Sequence, residues 1–343
     1  GARDHKRLKH YVAVSLILSL LISAVLTVVT LLCSRPLLLF MKTPADILGM
    51  ANGYITIIYA GILATMLFNV TSAILRGVGD SRTPLYFLIV SSVLNVALDL
   101  FFIVTLGMGP EGAALATVLS QAIATLLCFI YMFRKFEILR FGKEDCYPDL
   151  KSCRDLLALG IPMAVNYSVT AVGVMILQSA INVFGSTVVA AYTAASKVEQ
   201  LATQAMATLG TTMAVFCAQN LGAGKYERIF KGMNQALGIG VGICAFGAVI
   251  TVAGGDFIMG WFLKEPTASV MGYGRQYLVT ITFFFLPLMF IHLYRNALQG
   301  LNQGLMPLLS GILEMVCRIG VILIFLTPAG YWAVCLASPA AWT

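Results

Sequence analysis

The chain opens with "GARDHKRLKHYVAV" (Gly1–Val14), and a closely similar stretch, "GAGKYERIFKGMNQ", occurs at Gly222–Gln235. In both stretches a glycine, an alanine and several basic residues come directly before a long apolar segment. The recurrence indicates a structural unit that is present twice. What kind of unit it is depends on the composition of the segments that follow.

The composition is that of a membrane protein with several spans. Apolar residues make up 59% of the 343 residues, charged residues 11%, and the mean hydropathy is +0.89. This is more apolar surface than the core of a soluble domain can hide. A transmembrane helix needs about 20 mostly apolar residues, and we find ten such runs, of which the last is incomplete. The runs are 11–32, 55–75, 85–104, 113–133, 156–184, 188–218, 236–262, 277–297, 305–326 and one from residue 332.

Long continuous runs favour helices over the strands of a membrane barrel, which would alternate in segments of roughly ten residues. The eight cysteines are scattered and lack metal-ligand spacing, so we interpret them as packing residues. The net charge of +7 would favour nucleic acid as a partner in a soluble protein. In a chain of this hydropathy, the net charge is better explained by the placement of basic residues on one side of the membrane. We therefore predict no nucleic-acid partner.

The basic residues divide unequally between the two alternating sets of loops. Sixteen fall in one set, four in the other, and Lys197 and Arg318 lie within apolar runs. The larger set is Arg3, Lys6, Arg7, Lys9, Arg76, Arg82, Arg134, Lys135, Arg140, Lys143, Lys151, Arg154, Lys225, Arg228, Lys231 and Arg295, and the smaller is Arg35, Lys42, Lys264 and Arg275. By the positive-inside rule we predict a multi-pass protein of the inner (cytoplasmic) membrane, with residue 1 and the polar segment 134–155 in the cytoplasm.

The repeat continues beyond its first stretch. "FMKTP" from Phe40 matches "FLKEP" from Phe262, and "AILRGVGDSRTPL" from Ala73 matches "NALQGLNQGLMPL" from Asn296, so the offset drifts only from 221 to 223. Both copies enter the membrane from the same side, as in the parallel repeats of many transporters. We therefore predict an all-α integral membrane fold with an N-lobe (1–133), a cytoplasmic linker (134–155) and a C-lobe (156–343). Because the second copy has two more helices before its "GAGKYERI", we expect this chain to be a fragment, helices three to twelve of a six-plus-six protein.

Several motifs together resemble the multidrug and toxic compound extrusion (MATE) family, closest to its bacterial branch. They are "AILRGVGDSRTPL", "LNVALDLFFI", "GPEGAALATVLSQ", "LLALGIPMAVNYSV", "AQNLGAG" and "WAVCLASPAAW". The resemblance implies two six-helix lobes around a V-shaped cavity. It also implies alternating access and export of cationic or amphipathic compounds against an inward flow of H⁺ or Na⁺.

An ionisable residue inside a bilayer is a functional candidate because an unpaired charge there is costly. Asp99 lies one turn after Asn95, and Thr117 lies at a similar depth on the next run. Their oxygen atoms are hard ligands that suit Na⁺. Alternatively, Asp99 is buried and carries a proton. The resemblance implies that these three residues join an acid on the first helix in an N-lobe cation site. The alternative is that Asp99 only caps its helix or forms a hydrogen bond near the outer end of that helix.

In the second copy the offset of 223 puts Arg318 at the position of Asn95 and Ile322 at that of Asp99. Glu314 lies one turn before Arg318, so either the two form a neutral buried pair or Glu314 binds substrate. Lys197 and Glu199 are further candidates for lining the cavity. The alternative is that their helix projects from the membrane at that point.

We predict a cation-coupled antiporter that exports cationic or amphipathic small molecules and whose lobes rock about segment 134–155. We expect a monomer in the lipid bilayer, without a cofactor other than the coupling H⁺ or Na⁺, and a fragment that is inactive alone. A lipid-linked precursor flippase of the same superfamily is the nearest rival, and it would need a more basic centre. An integral membrane enzyme would need a catalytic cluster, and the sequence offers none.

Overall fold

The computed structural model describes residues 4–40, 45–142, 144–263 and 266–343. These residues form twelve α-helices, a π-helical turn at Leu100–Thr105 and a 3₁₀ turn at Glu137–Leu139, with no β-strand among them. The helices are α1 (His5–Phe40), α2 (Ala45–Ala60), α3 (Ile62–Gly77), α4 (Arg82–Asp99), α5 (Pro110–Lys135), α6 (Leu150–Asn182), α7 (Ser186–Gly222), α8 (Tyr226–Phe262), α9 (Ala268–Thr282), α10 (Phe285–Gly300), α11 (Leu305–Ala329) and α12 (Tyr331–Trp342).

The apolar runs predicted from the sequence correspond to these helices. Seven helices of the described chain are long and apolar enough to cross a membrane, and two bent pairs bring the number to nine. The short α12 accounts for the tenth run. The all-helical, multi-pass prediction is therefore confirmed. Two runs differ in detail, because α2 and α3 meet at a bend of 40° and α9 and α10 at a bend of 56°.

The predicted repeat is visible in the positions at which helices begin. Helix α2 begins at Ala45 and α9 at Ala268, while α3 begins at Ile62 and α10 at Phe285, so both pairs differ by 223 residues. The bend between the two helices therefore occurs at the same place in each copy. Of the residues used in the sequence comparisons, Gly1–Arg3, Met41–Pro44, Lys143, Lys264 and Glu265 lie outside the described part of the chain.

The chain divides into two compact units, Arg3–Leu156 and Leu157–Thr343. In the first unit, α5 packs on α2, α3 and α4, and α1 packs on α2 and α3. Segment 134–155, predicted as a linker, falls within this unit, and its Leu139 is fully buried in the core. His10 on α1 also bonds to this segment, with Nε2 2.8 Å from Asp149 Oδ1. Segment 134–155 is thus anchored to α1.

In the second unit, α7 is the central helix and packs against α8, α9 and α10. Small residues allow close approach of these backbones, as is usual between membrane helices. A Cβ placed on Gly210 of α7 would lie 2.6 Å from the carbonyl oxygen of His292 on α10. The position of α10, which carries part of the site described next, therefore depends on glycine at this crossing.

Candidate functional site

In the first unit, α4 and α5 place two of the predicted coupling residues together. Asn95 donates from Nδ2 to Thr117 Oγ1 at 3.4 Å, and Thr117 Oγ1 in turn donates to the carbonyl oxygen of Ala113 at 3.0 Å. This arrangement leaves the amide oxygen of Asn95 available as an acceptor. From the sequence we placed Thr117 at the depth of Asp99, and in the structure its hydroxyl group bonds to Asn95, one turn before Asp99.

Asp99 is the last residue of α4, and the backbone changes to a π-helical turn directly after it. Such turns are rare in helices and occur often at functional sites. The Asp99 Oδ1 atom is buried and has no hydrogen-bond partner in the described structure. A buried carboxylate oxygen without a partner is costly, so this atom is suited to accept a proton or a cation. The alternative interpretation of Asp99, a helix cap, gains no support, because no side-chain cap bond is found at this junction.

Carboxylate, amide and hydroxyl oxygens are hard ligands, suited to Na⁺ rather than to transition metals. Within the described ranges no three His, Cys, Asp or Glu side chains come together as a metal site. The chemistry available at Asp99, Asn95 and Thr117 is therefore the reversible binding of H⁺ or of a hard monovalent cation.

The second unit contains a buried ionic cluster built around Glu314. Arg318 Nη2 donates to Glu314 Oε1 at 2.9 Å, and Arg295 Nη2 donates to Glu314 Oε2 at 3.0 Å. Arg295 Nη2 also donates to Ser310 Oγ at 3.0 Å. The side chains of Arg318, Glu314 and Arg295 are only 6%, 11% and 14% exposed. A single carboxylate therefore serves two guanidinium groups.

This cluster corrects two of our expectations. Arg295 is not a loop residue, because α10 continues to Gly300 and buries the Arg295 side chain against α11. Glu314 and Arg318 are also not an isolated neutral pair, since Arg295 makes the group of three formally +1.

Glu199 and Lys197 differ in their surroundings although both lie on α7. Glu199 Oε2 accepts a hydrogen bond of 2.8 Å from Tyr277 Oη on α9, and the Tyr277 ring stacks edge-on with Tyr192 at 5.0 Å. Lys197 is exposed. The two side chains therefore do not act together, and only Glu199 belongs to the interior of this unit.

Two contacts were not predicted from the sequence: Arg295 as a member of the cluster, and Tyr277 as a partner of Glu199. A signal for the first was present in the repeat. At the offset of 223, Arg295, Glu314 and Arg318 correspond to Ser72, Ser91 and Asn95. Three neutral polar residues in one copy are thus three charged residues in the other, and a comparison of all three positions would have grouped them.

A duplicated, entirely helical membrane protein with buried ionisable groups in each unit is the kind of structure that secondary transporters have. The family model MatE matches residues 1–101 and 162–324, which is more than half of the chain. The protein therefore belongs to the MATE family of multidrug efflux transporters, as the sequence motifs had indicated.

Relatives and solved structures agree with this assignment. The chain is 32% identical over 252 residues to the probable multidrug resistance protein YpnP of Bacillus subtilis (strain 168), covering 74% of this chain and 56% of that protein. It is 30% identical over 251 residues to the probable multidrug resistance protein YoeA of the same organism, covering 70% and 53%. A MOP superfamily transporter from Pyrococcus furiosus superposes with a TM-score of 0.92 at 25% identity, covering 100% of this chain and 78% of that one.

The chain spans about half the length of the curated relatives it matches. These comparisons do not favour the flippase that we considered as the rival function. They support a bacterial-type family of membrane transporters that handle small molecules, and not a family of enzymes.

Proposed function

We propose that this protein is a cation-coupled antiporter that exports cationic or amphipathic small molecules by alternating access, with Asp99 as the site that binds H⁺ or Na⁺. The observation that carries this proposal is the buried Asp99 Oδ1 atom, which has no hydrogen-bond partner among the described residues, at the junction of α4 with the π-helical turn. The names of the two Bacillus relatives, both probable multidrug resistance proteins, support the substrate class.

A carboxylate in this position can couple cation movement to substrate export because its two states differ in charge. When Asp99 is ionised, it is a buried charge that attracts a cation. When it has bound H⁺ or Na⁺, the site is neutral and is more easily enclosed in the membrane. Asn95 and Thr117 then have the role of adding neutral oxygen ligands, a contribution that Na⁺ needs and H⁺ does not. We place the protein in the cytoplasmic membrane as a monomer, with residue 1 and segment 134–155 on the cytoplasmic side.

The test compares wild type with Asp99→Asn in the full-length gene product, reconstituted in liposomes. Efflux of a fluorescent cationic dye is followed under an imposed pH gradient and, separately, under an imposed Na⁺ gradient. We expect Asp99→Asn to reduce gradient-driven efflux by about tenfold or more while dye binding is retained, as for loss of an essential buried charge. Asp256→Asn is the matched control, because Asp256 is half exposed and paired with Arg275 at 3.6 Å.

The Thr117→Val variant separates the two ions. If Na⁺ is bound directly, removing the hydroxyl group weakens Na⁺-driven efflux. If H⁺ is carried, pH-driven efflux persists in this variant. Gradient-driven efflux that is equal in wild type and Asp99→Asn would refute the coupling role.

A further inference from the structure

The ionic cluster on α10 and α11 contains one positive charge more than it contains negative charges. Glu314 uses both of its oxygen atoms, one for each arginine, at 2.9 and 3.0 Å. The Nε atoms of both Arg295 and Arg318 are buried and have no hydrogen-bond partner among the described residues. A guanidinium group carries five N–H donors and no acceptor. The cluster therefore lacks acceptors, and a second negatively charged group would supply them.

The cluster lies deep enough in the bilayer for this imbalance to matter. Glu314 is nine residues and Arg318 thirteen residues from the start of α11, or about 13 Å and 20 Å along the helix axis. The hydrocarbon core is about 30 Å thick. Arg318 is thus close to the middle of the membrane, where charged groups are costly and mark the path of a substrate or ion.

The first copy of the repeat shows that this helix arrangement does not require the charges. Ser72, Ser91 and Asn95 occupy the three equivalent positions there, on helices that begin at the same offsets. A buried ion pair also seldom adds stability compared with neutral packing. The replacement of three neutral residues by two arginines and a glutamate therefore calls for a reason other than folding.

One further acid, on α7, interacts with the cluster. Glu199 is within reach of the electric field of Arg318, but it accepts the hydrogen bond of Tyr277 at 2.8 Å. On α6, Gly173 faces Arg318, and a Cβ placed there would lie 3.1 Å from Nη1. Glycine at this position lets the backbone of α6 pack against the guanidinium group without a clash.

We propose that Arg295 and Arg318 bind an anionic group, a carboxylate or a phosphate, on the amphipathic compound that the protein transports. Glu314 holds both arginines when the site is empty and competes with the incoming anion. This inference rests on the proposed transport function and adds to its substrate class amphipathic compounds that carry an acidic group.

The test measures binding, so that its outcome is independent of transport. The full-length gene product in nanodiscs of phosphatidylcholine is titrated by calorimetry with phenyl phosphate, benzoate and, as the cationic counterpart, phenyltrimethylammonium. The variants are Arg318→Gln, Arg295→Gln, Arg318→Lys and Glu314→Gln. The matched control is Arg275→Gln, which removes an arginine from an exposed ion pair of the same unit.

We expect the two arginine-to-glutamine variants to bind the anions about tenfold or more weakly, the effect of losing charge-assisted hydrogen bonds. Arg318→Lys should retain part of the affinity, because it keeps the charge and loses the planar donor set. Arg275→Gln should bind the anions with the affinity of wild type. The arginine-to-glutamine variants should leave the binding of the cationic probe unchanged. Glu314→Gln distinguishes the proposal from a purely structural cluster, because removing the competitor should tighten anion binding, whereas loss of a structural element should weaken it.

A second set of nanodiscs containing phosphatidylglycerol identifies the source of the anion. If this lipid reduces the affinity of wild type for phenyl phosphate and leaves Arg318→Gln unaffected, the site accepts a lipid headgroup as well as a soluble anion. If it has no effect, the site selects soluble compounds. Anion affinities that are equal in wild type and both arginine-to-glutamine variants would overturn the proposal, as would weaker binding in Glu314→Gln. A wild type that fails to transport but shows the expected binding pattern would instead contradict the proposed antiport.

Discussion

The crossing of α7 and α10 yields a quantitative prediction for Gly210→Ala. The new Cβ would lie 2.6 Å from the carbonyl oxygen of His292 and 2.8 Å from Asn296 Nδ2. Since ordinary contacts lie at roughly 3.5 Å, the two helices must separate by about 0.9 Å, and the nearer atom is backbone that has no rotamer to change. Overpacking of this kind costs about 1–3 kcal/mol. Alanine regains about 1 kcal/mol of helix propensity over glycine, so the net loss of stability is at most about 2 kcal/mol.

Gly238→Ala on α8 is the matched control, because nothing lies within 4 Å of a Cβ placed at that position. This variant keeps the gain in propensity without the clash, so the two variants should change stability in opposite directions and differ by about 1–3 kcal/mol. The assay is thermal unfolding in detergent with a thiol-reactive dye that labels Cys217 and Cys244, both buried in this unit, as they become exposed. A Gly210→Ala variant that unfolds at the temperature of Gly238→Ala or above it would refute the close approach of α7 and α10.

Two further predictions concern hydrogen bonds with charged partners. Tyr277→Phe keeps the ring and removes the donor to Glu199, so it should destabilise the protein by about 1–3 kcal/mol. In thermal unfolding, the stability changes of Tyr277→Phe and Glu199→Gln should not add up to that of the double variant. Strict additivity of the three changes would exclude the hydrogen bond. Hydrogen bonds, the largest from Ser152 and the next from His10, lower the pKa of Asp149 to about 2. The ionised Asp149 side chain therefore stabilises the fold fully above the pKa of about 3.9 that it has in the unfolded chain. This stabilisation is lost as pH falls towards 2. Amide exchange over residues 144–155, corrected for intrinsic rates, should therefore show constant protection from pH 7 to 5 and less protection below pH 4, and a decrease between pH 7 and 5 would contradict this assignment.

The sequence predicted the elements that depend on hydropathy and on the repeat. Apolar runs of span length located the helices because the bilayer imposes a minimum length on each. Helix rise placed Thr117 at about the depth of Asp99, because it fixes the depth of residues on either side of a short loop, and the structure joins Thr117 to Asn95, one turn from Asp99. The two bends were not predicted, since a hydropathy window does not distinguish a straight span from a pair of helices that meet at Gly61 or at residues 283–284.

Contacts between distant segments were the part that the sequence did not predict. Arg295 and Glu314 are 19 positions apart on different helices, and Tyr277 and Glu199 are 78 apart. Periodicity gives the face on which each side chain lies, but not the rotation of one helix against the next. Arg295 was counted with the loop residues although the apolar run 277–297 already included it, and α10 continues to Gly300.

The two copies of the repeat have diverged in charge while keeping their helix pattern. In the first copy, the position of Asn95 is neutral and an acid follows it one turn later at Asp99. In the second copy, the equivalent positions are Arg318 and the apolar Ile322. An isolated charge in a membrane is costly in either unit. Selection for packing alone would therefore not favour opposite charges within one turn of equivalent positions in the two copies. The pattern is the one expected if the first unit binds a cation and the second binds an anion, and the Asp99 and Arg318 variants test these two roles separately.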